Sequence, residues 1–286
     1  MRPARTGPFA YSAIARRPAL RWPGGARVAV WVIPNIEAFG LDVPMPGGTG
    51  KVPDVPAWSV REYGARVGIW RIMEILERHG VRGTVALNAD VCDVYPDVVK
   101  AALELRWELM GHGVTNTQRL TETHAEELNV VRETFARIER ATGQRPVGWL
   151  SPGLHETWDT LDHLVQCGAE YVADWVADDQ PFMLRAQGKH LVSVPYSFEL
   201  NDKPAFEQMH QTPDEFDAMI RRQFDVLYRE GAGSGRVMAI AVHPYLIGFP
   251  HRIGALDAAL AYVRSHEDVW FATGREIADS FRHSTT

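Results

Sequence analysis

The feature that most constrains this chain is a series of apolar runs, each closed by a polar cluster. Asn35-Ile36-Glu37 follows the run from Val28 to Ile33. His112, between Gly111 and Gly113, follows Trp107 to Met110, with Asn116 four residues on. Trp149-Leu150-Ser151-Pro152-Gly153 follows Arg145-Pro146-Val147. Asp178-Asp179 comes after Tyr171-Val172-Ala173, and His243-Pro244-Tyr245 after Val237 to Val242. Parallel strands in an α/β barrel all finish on one face, and active sites are built there. The pattern therefore predicts one site assembled from distant segments.

Helical periodicity fills the spaces between these runs. Ile69, Ile72, Met73 and Leu76 share one face of a helix predicted over Arg61 to His79, stopped by Gly80. Thr123-His124-Ala125-Glu126 reads as a capping box before a helix that carries Leu128, Val131, Phe135 and Ile138 and ends at Gly143. Further helices are predicted over Pro96 to Leu105, Thr157 to Gln166, Pro213 to Arg229, Leu256 to Val263 and Arg275 to Phe281. Further strands are predicted over Val81 to Leu87, Leu191 to Tyr196 and Val269 to Thr273. Strands alternating with helices imply a parallel sheet covered by helices. The expected fold is α/β, a single-domain distorted (β/α) barrel of about seven parallel strands with outer helices. Residues 1–21 read as an N-terminal arm and 22–286 as one catalytic domain. The Pro- and Gly-rich segment from Glu37 to Ser59 reads as a lid or pocket wall.

Composition narrows the function. A chain of 286 residues can bury a core without disulfides or structural metals. The net charge of −6 gives no broad basic surface for nucleic acid. The two cysteines, Cys92 and Cys167, form neither a disulfide framework nor a thiolate metal site. No apolar run reaches the roughly 18 residues of a membrane-spanning helix. The segment from Met1 to Pro23 has five arginines and no apolar stretch fit for export, so the expected compartment is the cytoplasm. Ser151 lies in Leu-Ser-Pro-Gly rather than a Gly-x-Ser-x-Gly elbow, which argues against a serine hydrolase.

In this order, these motifs resemble the polysaccharide deacetylase family, also called NodB-homology, over residues 22 to 282. More closely, the chain resembles a branch that includes metal-independent allantoinases and cyclic imide hydrolases. The strings that carry this are Trp22-Pro23-Gly24-Gly25-Ala26-Arg27, Asn35-x-Glu37, Asn201-Asp202 and the segment His243-Pro244 through Ile247-Gly248, Pro250, His251 and Arg252. The resemblance implies a metal-binding strand end at Asn35 to Glu37, a pair of ligands at His112 and Asn116, and a late histidine at His243. Typical members bind a divalent metal through one Asp and two His, with an Asp as general base. Here Glu37 and Asn116 stand at ligand positions and Asn35 at the base position. An amide accepts no proton at neutral pH, and zinc prefers imidazole, thiolate or carboxylate.

The expected catalytic residues are therefore Glu37, His112, Asn116 and His243. Glu37 is the expected base, its pKa raised by burial, and His243 the expected acid. Trp149, Ser151, Pro152, Asp179, Asn201, His251 and Arg252 are expected to bind substrate, with Asp179 able to orient a histidine. The cofactor is expected to be absent or to be one weakly bound divalent metal, zinc, on Glu37, His112 and Asn116. The expected activity is hydrolysis of a non-peptide C–N bond in a small amide, ureide or cyclic imide. The alternatives are a metal-dependent N-deacetylase of an amino sugar or glycan precursor, and a non-catalytic ligand-binding barrel. The expected partner is a small-molecule amide or imide, with neither nucleic acid nor membrane. Self-association into a homo-oligomer is left open.

Overall fold

The computed structural model describes residues 7–117, 120 and 126–285. Among these are nine strands, against the expected seven or so, and nine α-helices, which alternate except where α1 and α2, α3 and α4, and β5 to β7 run consecutively. The elements that shape the site are strands β1 (Val28–Ile36), β2 (Thr84–Leu87), β3 (Glu108–Gly111), β4 (Gly148–Trp149), β5 (Tyr171–Val172), β6 (Phe182–Ala186), β7 (Lys189–Ser193), β8 (Arg236–Val242) and β9 (Val269–Phe271). The helices are α1 (Val55–Tyr63), α2 (Ile69–Arg78), α3 (Val91–Val94), α4 (Pro96–Glu104), α5 (Glu127–Thr142), α6 (Thr160–Gln166), α7 (Pro213–Gly231), α8 (Ile253–Arg264) and α9 (Gly274–Thr285).

The strands form one curled sheet in the order β6-β7-β5-β4-β3-β2-β1-β8, and β9 pairs with the start of β1. All pairings are parallel except β6 with β7. The free edge of β8 donates hydrogen bonds at both ends. Val237 N–H donates to Asp179 O at 2.8 Å, and Ala241 N–H donates to Leu200 O at 2.9 Å. The sheet is thus a half-barrel partly closed by loops.

β1 is buried along its whole length and serves two cores. Val28, Val30 and Val32 face the helices, packing with Ile72, Leu76 and Phe224. Ala29, Trp31 and Ile33 face the barrel interior with Met110, Tyr171 and Val194. Burial on both faces is why this strand reads as a continuous apolar run rather than an alternation.

Several boundaries differ from the sequence expectation. The hairpin β6–β7 was not foreseen. It turns at Gln187 and Gly188, both with positive φ (47° and 70°), the conformation of a tight primed turn. The strand expected over Leu191 to Tyr196 is its second arm, shifted to Lys189–Ser193. The Glu37 to Ser59 segment ends early because Asp54 caps α1, accepting from Ala57 N–H at 3.2 Å. The helix expected over Arg61 to His79 is split into α1 and α2 by a π-turn at Gly64–Gly68. The loop after β8 causes the split. A Cβ on Gly68 would lie 2.0 Å from Pro244 O, and one on Gly64 would lie 2.6 Å from Tyr245 N. Two glycines therefore let the backbone that carries His243 rest directly on the helix.

Gly143, at φ 72°, ends α5 as expected, but most of the capping box expected at Thr123 to Glu126 lies outside the described residues. A capping box does occur at α7, between Thr212 and Glu215. Among the described residues, no helix is long and apolar enough to cross a membrane.

Candidate active site

The C-terminal ends of β1, β2, β3, β4, β5, β7 and β8 converge. Glu37, Asn88, His112, Ser151, Asp174, Tyr196 and His243 follow them within a few residues. Asn88 ties the first three exits together. Its Oδ1 accepts from Ala38 N–H at 2.9 Å, and its amide donates to His112 O.

A pocket of about 120 Å³ lies among Asn35, Glu37, Pro46, His112, Asn116, Ser151, Pro152, Tyr196, Asn201, Lys203 and His243, with Leu150, Gly153 and Leu154 completing the wall. This is far below the roughly 300–1,000 Å³ of pockets that take drug-sized ligands. Pro46 brings the expected wall segment to the pocket. That segment is pinned by Arg61, which donates to Pro46 O at 2.8 Å, and by Trp58, which donates to Phe39 O at 3.0 Å.

Glu37 is the charged centre of the pocket. Its Oε1 stands 3.5 Å from His112 Nε2 and 3.7 Å from His243 Nε2, and its Oε2 accepts from Tyr245 O–H at 2.9 Å. Both imidazoles are fixed from behind. His112 Nδ1–H donates to Leu150 O at 2.7 Å, and a carbonyl can only accept, so the proton sits on Nδ1. His243 Nδ1–H donates to Asp202 Oδ1 at 2.6 Å. The other oxygen of Asp202 accepts from the His243 and Ile247 N–H groups at 2.8 and 3.1 Å. In both rings Nε2 is the nitrogen turned to Glu37.

The expectation that burial raises the Glu37 pKa is corrected. Burial does push it up, but His243, His112 and Lys203 outweigh that and bring it down to about 2. A carboxylate this weakly basic orients water and holds charge better than it accepts a proton.

Ser151 is held from behind. Its N–H and Oγ–H both donate to Asp174 at 2.7 Å, and its Oγ accepts from Trp149 Nε1–H at 2.9 Å. The Asp174 carboxyl is pushed up by burial, against the pull of its bonds to Ser151 and Glu156.

The other expected residues fall in different places. Pro152 and Asn201 line the pocket. Asn201 Oδ1 accepts from Lys203 N–H at 3.0 Å. Trp149 does not reach the pocket. It is fully buried behind Ser151, its ring edge-on to Phe135 with centroids 5.7 Å apart. His251 is exposed and outside the lining. The Arg252 guanidinium lies 4.7 Å over the Phe206 ring, also outside. Asp179 is farthest from expectation. Its carbonyl accepts from Val237 N–H at the start of β8, whereas His243 follows the end of that strand, roughly 20 Å away at 3.3 Å per residue. Asp179 instead lines a cavity of about 980 Å³ beneath the N-terminal arm, beside the Arg17–Asp178 ion pair at 2.6 Å. The carboxylate that orients a histidine is Asp202.

Asp174, Lys203, Tyr196 and Asn88 were not singled out from the sequence. The strand-end pattern extends to both Asn88, which directly follows β2, and Asp174, two residues past β5. At Asp178 and Asp179 the chain has already left the strand end and returned to the start of β8. Tyr196 lies three residues past β7, and Lys203 lies in a helical turn and carries no strand-end signal.

The positions implied for a metal hold a carboxylate, an imidazole and an amide. Among the described residues, no three His, Cys, Asp or Glu side chains are arranged to hold an ion. Asn116 Oδ1 is buried and has no hydrogen-bond partner among the described residues, but an amide oxygen is a weak zinc donor. The set does not fit a tightly held zinc.

Residues 58–172 match the sequence profile of the family described as "Polysaccharide deacetylase". A "Putative polysaccharide deacetylase" of Schizosaccharomyces pombe is 28% identical over 284 residues, covering 90% of this chain and 86% of that protein. The crystal structure of a "probable Polysaccharide deacetylase" from Pseudomonas aeruginosa PAO1 superposes with a TM-score of 0.83 at 29% identity, over 93% of this chain and 95% of the other. That of Puue Allantoinase superposes with a TM-score of 0.84 at 28% identity, over 94% and 95%. The curled parallel sheet is similar to those of these proteins, and residues 58–172 match a polysaccharide deacetylase (NodB) domain, a family of hydrolases acting on C–N bonds.

Proposed function

We propose that this protein hydrolyses a C–N bond in a small cyclic amide, imide or ureide. One observation carries the reading. In a pocket of about 120 Å³, the Glu37 carboxylate faces two imidazole Nε2 atoms whose Nδ1 atoms are both tied from behind. The reactant water hydrogen-bonds to Glu37 and to an imidazole. His243, held and charge-stabilised by Asp202, takes a proton from this water as it attacks the carbonyl carbon. His243 then returns the proton to the leaving nitrogen. The Asn116 amide N–H faces the developing oxyanion, while the unprotonated Nε2 of His112 flanks Glu37 and supplies no donor there. Asn35 donates to Ile33 O and Val242 O at 3.1 and 3.3 Å, and its role is to hold the strand ends together.

A metal-dependent N-deacetylase is the second reading, favoured by the unpartnered Asn116 Oδ1 beside Glu37 and His112. The experiment is hydrolysis of succinimide, dihydrouracil, hydantoin, allantoin and N-acetylglucosamine oligomers, each with and without chelator. Chelator-resistant ring opening supports the first reading. Acetate release from the oligomers, abolished by chelator, overturns it for the second.

A further inference from the structure

Among the described residues lining the pocket, Lys203 is the sole lysine or arginine. Its backbone N–H donates to Asn201 Oδ1, and Asp202 between them holds His243. One turn thus carries both the orienting carboxylate and a cation. The ammonium lies 5.6 Å from the centroid of the Tyr245 ring, whose hydroxyl donates to Glu37. Its field helps keep Glu37 ionised. The ammonium also pairs with Glu207 at 2.8 Å, one helical turn away, where both side chains are partly solvated (33% and 43% exposed). An ion pair that wet is worth little and exchanges easily. A lysine on a flexible stem can therefore leave Glu207 for an anion inside the pocket.

Ring opening makes such an anion. Water adds to a ring carbonyl, the C–N bond breaks, the nitrogen takes a proton, and the new carboxylic acid ionises. The product of a cyclic substrate keeps that carboxylate tethered to the rest of the molecule. Cleavage of an N-acetyl group releases it as free acetate instead.

We propose that Lys203 is a specificity-determining residue that binds the carboxylate end of the ring-opened form, biasing the pocket toward small cyclic imides and ureides. This rests on the hydrolase reading above.

The test is calorimetric binding of succinamate, the ring-opened form of succinimide, against neutral succinamide. The wild type, Lys203→Met and Lys203→Arg would be compared, each checked for native melting behaviour. The wild type should bind the anion more tightly, and Lys203→Met should lose about tenfold of that preference, the scale of one charged hydrogen bond. Lys203→Arg should keep most of it. Glu207→Gln, which removes the competing carboxylate, should tighten succinamate binding by about two- to fivefold. Equal affinity of the wild type for both probes overturns the proposal, as does an anion preference that survives in Lys203→Met. Failure of the hydrolase reading looks different: the wild type opens none of the rings, whatever the binding data show.

Discussion

Two buried carboxylates sit at opposite ends of the same barrel, and their surroundings drive them in opposite directions. Glu37 follows the last residue of β1, and Glu108 is the first residue of β3. Burial pushes both upward. Around Glu37, two imidazoles and Lys203 reverse that push and take it to about 2. Around Glu108 burial prevails and the group stays raised, although the Arg275 N–H, Tyr171 O–H and Thr84 O–H donate to it at 3.0, 2.8 and 3.1 Å. Burial alone therefore does not mark a reactive carboxylate; the sign of the charges facing it does. The strand-start end joins β2, β3, β5 and α9 through hydrogen bonds and serves stability, while the strand-end face gathers groups that can move protons.

The most severe way to break this contrast is to remove the imidazole whose charge acts most strongly on Glu37. His243→Ala should lower kcat by about 10²- to 10⁴-fold while the protein still folds, as expected for loss of a proton-transfer group. Wild-type turnover in that variant would end the assignment. Removing the carboxylate tests the contrast through stability. Glu37 titrates below its ordinary 4.5, so its contribution is full above 4.5 and lost as pH falls toward 2. Urea unfolding between pH 5 and pH 2.5 should show Glu37→Gln gaining on the wild type as pH falls, by up to about 3 kcal/mol. Parallel stability curves for the two proteins would count against the charge cluster.

Glu108→Gln should do the reverse. A raised carboxyl contributes stability below its unfolded pKa and loses it as pH rises through the folded one, so this variant gains on the wild type with rising pH. The disturbed hydrogen bonds should cost about 1 kcal/mol each, with kcat per folded molecule unchanged. A collapse of kcat in this folded variant would show that the two ends are not functionally separate. The smallest effect belongs to Asp179→Asn. Far from the pocket, it should shift kcat by less than about twofold, within the range of ordinary surface changes. A hundredfold loss would return Asp179 to the site.

Much of this architecture was readable from the chain. The apolar run of β1, the periodicity of α2 and α8, and the glycine stop of α5 are local signals, set by side-chain spacing and backbone freedom. Polar groups closing apolar runs placed Glu37, His112, Ser151 and His243 at strand ends without any coordinates, because parallel strands must finish on one face. The signal failed where contact rather than spacing decides. Nothing local to Gly64 and Gly68 says that the His243 loop needs their missing Cβ atoms and splits the helix there. Nothing in Asp178-Asp179 says that the chain has already turned back to the start of β8. The direction of the Glu37 pKa also lay beyond the sequence. It depends on His112, 75 residues away, and His243, 206 residues away, being held with Nε2 turned inward by Leu150 and Asp202. The sequence by itself determined which strands exist and what chemistry their ends carry, since propensity and periodicity act between near neighbours. Only the tertiary structure decided which of those ends meet, and hence which charges set each other's pKa, because Coulomb and hydrogen-bond energies depend on distance in space.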